Sequence, residues 1–324
     1  MLRIPAFSRI MVTGADGFVG RHLLPALTAA ASPGAEISLA SRTGEGEAGY
    51  PVVMMELKDP ASVEAAVAAI RPDLVIHLAA QASVGQSWGA AADTWDINLC
   101  GSLHLARAVA EHVPRSAFFY VSTAEVYGSS FNDGDAVEST PLRPQSAYSR
   151  SKAAAEGMLA DVLPDSATLI VARPSNHSGA GQDARFVIPS FAAQIARIEQ
   201  GAAEHIRVGN LEAERDFMDV RDVVEAYIGL LARTPSLPPR AIFNIGTGHS
   251  VRIGDILDRL RAMSGVPTPV VPDPDRMRPS EIARTVIDAG ALRAATGWRP
   301  AHALDEMLAM VLNEQRARLS SAGK

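Results

Sequence analysis

The segment Thr13-Gly14-Ala15-Asp16-Gly17-Phe18-Val19-Gly20 constrains this chain more than any other. An apolar run, Arg9–Thr13 (RIMVT), precedes it, and a helical pattern over Gly20–Ala30 follows. Glycines at 14, 17 and 20 allow a tight turn, close approach of the backbone to a pyrophosphate, and close packing of helix on strand. A helix opening here aims N–H groups and the positive end of its dipole at the phosphates. The spacing is GxxGxxG rather than GxGxxG, and a plain glycine-rich turn has the same letters. The strand–loop–helix setting favours a dinucleotide loop over that plain turn.

The pattern continues in kind. Strand-like runs recur at Glu36–Ala40, Pro51–Met55, Leu74–Leu78, Ala117–Ser122 and Ala167–Ala172. Helical patterns at Ala61–Ile70, Asn98–His112 and Ala147–Leu163 lie between them. Apolar strands alternating with helices predict a Rossmann-type, doubly wound parallel sheet covered on both faces. After Arg173 the texture becomes irregular, with helical stretches at Pro189–Gln200 and Val220–Leu231. The expected division is a dinucleotide-binding domain over 1–172 and a smaller α/β substrate-binding part over 173–324. A segment near 220–248, carrying the run Ile242–Ile245, is expected to return to the main sheet.

Composition narrows the partners. The chain has 324 residues and a net charge of −6, without a lysine/arginine block, which disfavours nucleic acid. An anionic small molecule needs only a few arginines. One cysteine, Cys100, has no intrachain partner and points to a reducing compartment. The opening MLRIPAFSRIMVTG lacks the parts of a signal peptide, and no stretch reaches ~18 apolar residues. The expectation is a cytoplasmic protein with no membrane partner and no metal.

Three further features carry chemistry. The second strand ends at Ala40-Ser41-Arg42-Thr43, without the Asp or Glu that holds a ribose 2′-hydroxyl in NAD sites. Arg42, assisted by Ser41, suits a 2′-phosphate, so NADP(H) is favoured over NAD(H); a solvated loop arginine is the alternative. Tyr148 and Lys152 are four residues apart at a helix start, on one face. A cation beside the phenol is expected to lower its pKa from about 10 towards neutrality. Such a tyrosine can pass a proton at a carbonyl or alcohol while hydride moves. Thr123 ends a strand at the carboxyl edge of the sheet, where its hydroxyl can bond the reacting oxygen. His77-Leu78-Ala79-Ala80 closes the fourth strand with small residues that let backbone approach a dinucleotide; His77 itself reads equally as a satisfied core histidine.

TGADGFVG, HLAA, Asn98-x-x-Gly101, STAEVYG, YSRSK and RPSNHSGAGQ, in this order, resemble the extended short-chain dehydrogenase/reductases that act on nucleotide sugars. The likeness spans essentially the whole chain. It implies catalytic roles for Thr123, Tyr148 and Lys152, and a nicotinamide contact from the segment Arg173-Pro174-Ser175-Asn176. It further assigns Gly14, Asp16, Gly17, Phe18, Val19, Gly20, Ser41, Arg42, Glu56, Leu57, Leu78, Ala79, Ala80, Gln81, Asn98, Tyr148, Lys152 and Arg173 to the cofactor. The second half, with VGNLEAERDFMDVRDVVEAY, PDPDRMRPSE and TGWRP, looks most like the GDP-4-dehydro-6-deoxy-D-mannose reductases. That branch implies Asn176 and Arg215 at the sugar diphosphate with Arg278 nearby, Glu281 on the nucleoside ribose, and Ser83 and Val187 in the substrate site. Guanidinium gives bidentate, permanently charged bonds to a diphosphate. Each arginine reads alternatively as a surface ion pair, and Glu281 as a helix-start acid.

Two departures bear on the reaction. Serine at 175 replaces a bulkier residue, which reshapes the sugar pocket. Glu125 follows Thr123 at the spacing seen in GDP-mannose 4,6-dehydratases, where the glutamate removes the C5 proton. Against dehydration, the loop GADGFVG lacks the GQDG form of GDP-mannose dehydratases, the RMRPSE and VIP segments resemble the reductases, and Glu125 reads alternatively as a hydrogen-bond partner of the sugar or of a backbone group. Reduction of a 4-keto, GDP-linked deoxy sugar to GDP-D-rhamnose or its C4 epimer is the leading expectation. A 4,6-dehydratase or C4 epimerase with tightly held cofactor is the alternative. A non-turning-over dinucleotide sensor is a third, disfavoured because Tyr148 and Lys152 are both kept. Alanine-rich faces on Asn98–His112 and Ala147–Leu163 imply, by the same resemblance, a homodimer or dimer of dimers.

Overall fold

Each apolar run of the first half is a strand in the computed structural model, which describes residues 3–4, 7–47, 49–82, 85, 89–277 and 282–322. The first half runs β1 (Arg9–Thr13), α1 (Phe18–Ala30), β2 (Glu36–Ser41), β3 (Val52–Met54), α2 (Pro60–Ile70) and β4 (Leu74–His77). It continues with α3 (Ala91–Trp95), a π-helical turn (Asp96–Cys100), α4 (Gly101–His112), β5 (Ala117–Val121), α5 (Ala147–Val162) and β6 (Thr168–Pro174). The second half holds β7 (Asn176–Ser178), α6 (Val187–Glu199), β8 (Ile206–Val208), β9 (Glu214–Arg215), β10 (Phe217–Asp219), α7 (Val220–Arg233) and β11 (Arg240–Ile245). After it come β12 (Val251–Arg252), α8 (Ile253–Ala262), β13 (Val270–Pro272), β14 (Arg284–Thr285), α9 (Gly290–Thr296) and α10 (Leu304–Ala322).

Seven strands form one sheet in the order β11-β6-β5-β4-β1-β2-β3, every pair parallel. This is a Rossmann-type α/β fold. The strand order reverses between β1 and β4, the crevice where such sheets bind ligands. β11 lies beside β6, with Ile242 opposite Val171 and Asn244 opposite Arg173.

Both faces of the sheet are dry. One core packs Leu23, Leu24 and Leu27 of α1 and Val223, Tyr227 and Leu231 of α7 on the sheet. The other packs Val63 of α2, Leu105 and Val109 of α4, and Leu159 of α5. β4 is buried along its whole length, which explains its unbroken apolar run. A separate core joins Phe191 and Ile195 of α6, Leu257 and Leu260 of α8, and Leu308 and Val311 of α10. Around it run short ladders: β7 with β10, β8 with β13, and β9 between β12 and β14.

One helix departs from expectation. Asn98 does not open an α-helix; it sits inside the π-helical turn, and α4 begins at Gly101. A π turn widens the helix at one point and re-aims a side chain, here Asn98. Gly101 is required there, because a Cβ would lie 2.9 Å from Leu57 Cβ.

Candidate active site

Parallel strands put the carboxyl ends of β1 to β6 on one edge. The glycine loop, Ser41–Arg42, Glu56–Leu57, Leu78–Gln81, Ser122–Thr123 and Arg173–Asn176 lie at or just beyond those ends. At Gly14, φ is +69°, and a Cβ would stand 2.7 Å from the Ala79 nitrogen. The backbone at the end of β1 therefore touches the backbone beyond β4. A Cβ on Gly20 would lie 2.4 Å from the Ala15 carbonyl oxygen, so α1 grows directly against its own loop. Phe18 stacks on His177 with ring centroids 6.2 Å apart, while Asp16 and Arg42 are exposed. The Ser41 and Thr43 hydroxyls are 3.2 Å apart, and the Glu56 carboxylate accepts from the Lys58 N–H at 3.1 Å.

A buried relay joins the loop to the helix that carries Tyr148. The Ala79 N–H donates to Thr13 Oγ1 (3.1 Å), which lies 2.8 Å from His77 Nδ1. His77 Nε2 lies 3.0 Å from Ser102 Oγ, whose hydroxyl donates to the Asn98 carbonyl at 2.6 Å. Ser102 has thus spent its proton, so Nε2 must donate and Nδ1 must accept from Thr13. Every group is satisfied by neutral imidazole. Burial, with Lys152 adding to it, drives the His77 pKa down to about 3, in keeping with that tautomer. Asn98 Oδ1 accepts from the Gln81 N–H (2.8 Å), and its Nδ2 donates to Ser151 Oγ (3.0 Å). Ser151 Oγ in turn donates to the Tyr148 carbonyl at 2.8 Å.

Ser146 caps α5 in a reciprocal box with Ser149, which fixes Tyr148 in the first turn. Tyr148, Lys152 and Glu156 follow at four-residue steps and are all buried. The Thr123 side chain neighbours the Tyr148 phenol, and Thr123 Oγ1 accepts from the Glu125 N–H at 3.2 Å. Lys152 Nζ donates to the Val121 carbonyl (2.7 Å) and lies 4.7 Å from the Tyr120 ring centroid. The expected depression of the phenol pKa is corrected here. Burial pushes Tyr148 up to about 12; the Thr123 bond opposes this and the Glu125 charge adds to it. Lys152 is itself pulled down to about 7 by burial, against the pull of Glu156. Desolvation outweighs the cation.

The Arg173 side chain turns away from the sheet edge into the core and is 4% exposed. Its Nε donates to both Glu156 carboxylate oxygens at 3.1 Å, and Nη2 bonds Glu156 again. Nη1 donates to the Tyr127 hydroxyl (2.9 Å) and the Glu138 carbonyl (3.2 Å). Ser122 Oγ also donates to Glu156. Sequence reasoning missed Glu156; its four-residue step from Lys152 was the available signal.

Glu125 and Asn176 share a small cavity with Ser175 and Asp216. Arg215 Nη1 donates to the carbonyls of Glu214 (2.7 Å) and Ala283 (3.3 Å), and Nη2 to that of Ile282 (3.2 Å). Burial lowers its pKa and the Glu125 charge opposes this. Val187 begins α6 and packs on the third core. Ser83, Arg278 and Glu281 lie outside the described residues. No helix among the described residues is long and apolar enough to cross a membrane.

A parallel sheet of this order, a glycine loop after β1 and a buried Thr/Tyr/Lys cluster define an oxidoreductase of the short-chain dehydrogenase/reductase type. Residues 11–311 match the family described as GDP-mannose 4,6 dehydratase, and the chain belongs to that family. It is 34% identical to a GDP-6-deoxy-D-mannose reductase of Pseudomonas aeruginosa, over 96% of this chain and 98% of the relative. The structure of RMD from Pseudomonas aeruginosa complexed with NADPH matches with a TM-score of 0.79 and 32% identity, covering 96% and 99% of the two chains. A Thermus thermophilus UDP-glucose 4-epimerase in complex with NAD matches with a TM-score of 0.81 and 28% identity, over 95% and 99%.

Proposed function

We propose that this enzyme reduces the 4-keto group of a GDP-4-dehydro-6-deoxy-mannose-type nucleotide sugar with NADPH, giving GDP-D-rhamnose or its C4 epimer. The observation that carries this reading is the buried cluster of Thr123, Tyr148 and Lys152 at the carboxyl edge of the sheet. Residues 1–172 hold mainly the cofactor, and 173–324 mainly the sugar nucleotide. The Gly14–Gly20 loop takes the pyrophosphate, and Leu78–Gln81, fixed by Thr13 and Asn98, line the dinucleotide. A reduced nicotinamide bound there would supply the hydride that C4 of the sugar accepts. Thr123 orients the carbonyl, and Tyr148, protonated up to about pH 12, gives its proton to the developing alkoxide. Lys152 holds the nicotinamide ribose. Asn176 and Arg215 take the diphosphate.

The direct test mixes the chain with GDP-4-dehydro-6-deoxy-D-mannose and NADPH and follows absorbance at about 340 nm, the band of reduced nicotinamide. No loss of absorbance at saturating protein rejects the reading. The pH dependence has a defined sign. Lys152 is charged below about pH 7 and loses its proton above it. kcat/KM for NADPH, which reports the free enzyme, is therefore expected to be level in acid and to decline above about pH 7. A rate that climbs with pH through this range contradicts an acid role for Tyr148.

NADP(H) is preferred through Arg42 and Ser41 at the end of β2. Arg42→Ala is expected to raise KM for NADPH roughly tenfold while leaving that for NADH unchanged. Equal effects on both cofactors contradict the preference. The lone cysteine supports a cytoplasmic setting. Helices α4 and α5 are the inferred contact of a homodimer or dimer of dimers.

One observation supports a second reading, 4,6-dehydration with a recycled cofactor: Glu125 reaches the cavity two residues after Thr123. GDP-mannose incubated without reductant then yields a 4-keto product, and Glu125→Gln abolishes it. GDP-mannose returned intact removes this reading. C4 epimerisation would use the same Tyr148 and recycled cofactor.

A further inference from the structure

Glu64, Glu111 and His112 bring three metal-ligating groups to one point, and nothing in the chemistry above uses them. Each offers a ligand atom, and these atoms all lie within 4.8 Å of one another. Helix packing explains the convergence. Val63, Ala66 and Val67 of α2 share a core with Leu105, Ala108 and Val109 of α4. His112 stands one turn after Ala108, on the same face, so its ring is carried towards α2. Glu64 and Glu111 adjoin this contact from the two helices, and both are exposed. The linear sequence hides the group, because its members come from two helices and have no motif spacing.

Two observations separate this junction from an ordinary cluster of surface acids. The first is the imidazole. His112 Nε2 is shut off from solvent and has no hydrogen-bond partner among the described residues. Buried polar atoms are nearly always paired, so an orphan of this kind calls for a ligand. Nε2 lies 3.5 Å from Glu64 Oε1, beyond the ~3.2 Å reach of an N–H···O bond. Bonds of about 2.0–2.2 Å to a tetrahedral zinc ion set neighbouring donors about 3.3–3.6 Å apart, which is this spacing. The second is the charge. Among the described residues no lysine or arginine pairs with Glu64 or Glu111, and Arg71, at the end of α2, donates to the His112 carbonyl instead (3.2 Å). Two carboxylates and a nitrogen lone pair facing one point repel one another, and a divalent cation removes that cost.

We propose that Glu64, Glu111 and His112 form a zinc site, with water as fourth ligand, that clips α2 to the end of α4. Imidazole among the donors selects zinc over calcium and magnesium, which take oxygen alone. The site lies away from the reaction. Each helix here runs back against the strands, so the end of α4 is at the amino edge of the sheet, opposite Thr123 and Tyr148. The 12 residues of α4 alone span about 18 Å. The metal therefore acts on the stability of the dinucleotide-binding half and takes no part in hydride transfer. The inference stands whichever sugar the enzyme reduces.

The test titrates the chelator-treated full chain with zinc chloride by calorimetry, and with cobalt chloride in a visible spectrometer. One zinc ion is expected to bind per chain and to raise the melting temperature, because it binds the folded chain in preference to the unfolded one. Cobalt in the same place is expected to give the intense visible bands of a tetrahedral ion. His112→Gln, Glu64→Gln and Glu111→Gln are each expected to weaken zinc binding by roughly tenfold or more and to remove the rise in melting temperature. Circular dichroism in zinc-free buffer shows which variants are folded, and any one of the three that is folded suffices for the comparison. Absence of zinc binding overturns the proposal. So does binding that keeps its affinity in a folded variant, which places the ion elsewhere. A faint, octahedral-type cobalt spectrum without a change in melting temperature marks an adventitious ion only, and overturns it as well.

Discussion

Tyr148→Phe is expected to lower kcat for the reductive reaction by a factor on the order of 10² to 10⁴, the usual worth of a positioned proton donor. Only the hydroxyl is removed, and phenylalanine fits the same buried space on α5. NADPH affinity should therefore stay within about twofold, and the melting temperature should change little. The size of the loss follows from where the phenol sits. It is buried beside Thr123 and pushed up to about 12, so it is protonated when the alkoxide develops. Water is a poor substitute in so closed a place. Thr123→Val tests the same geometry from the other side, since it leaves the phenol intact but removes its partner. Stopped-flow single turnovers separate the chemical step from product release. A Tyr148→Phe chain that turns over at an undiminished single-turnover rate would falsify the assignment of Tyr148 as the proton donor.

The part of this site that sequence could reveal is the part written in local periodicity. Glycines at 14, 17 and 20 between a strand and a helix state a backbone geometry, and the structure has it at Gly14 and Gly20 for stated steric reasons. Tyr148 and Lys152 share a face because a helix repeats every 3.6 residues, whatever surrounds it. Longer strands were readable too, since burial on both faces leaves an unbroken apolar run. The ladders of the second half were not, because pairs such as β9 with β14 are two residues long and carry no period of their own. Asn98 shows another limit. Its role as the clasp between Gln81 and Ser151 depends on a π turn, which has no letter code. Two further quantities were out of reach of the sequence for one cause. The phenol pKa and the destination of Arg173 are both decided by which groups are removed from water together. Glu156 stands seventeen positions from Arg173 in the chain and in hydrogen-bond contact with it in space. A linear motif places Arg173 beside Asn176; the fold places it beside Glu156.

That pairing leads to the largest expected effect on stability. Arg173→Met is expected to destabilise the chain by about 3–5 kcal/mol, because it strands a buried carboxylate. At the scale of a chain of this size, the melting temperature falls by roughly 5–15 °C. The Glu156 side chain is 6% exposed, and two of its hydrogen-bonding partners are Arg173 and Ser122. With the guanidinium gone, Ser122 and the distant Lys152 charge are left to compensate it. The double variant Arg173→Met/Glu156→Leu removes both charges and should recover most of the loss, since well-packed apolar pairs often equal a buried ion pair. Activity separates the two roles of the pair. Ser122 donates to Glu156 and immediately precedes Thr123, so the pair ties the end of β5 to the helix bearing Tyr148 and Lys152. The charge of Glu156 also supports the ammonium of Lys152 against burial. The stable double variant should consequently keep its fold but lose that support, and the alkaline decline of kcat/KM should begin at lower pH than in the unaltered chain. Thermal melts of the single and double variants, followed by a pH profile of the double variant, read these effects independently. Additive destabilisation in the double variant contradicts the ion-pair account, and an unmoved pH profile contradicts the link from Glu156 to Lys152.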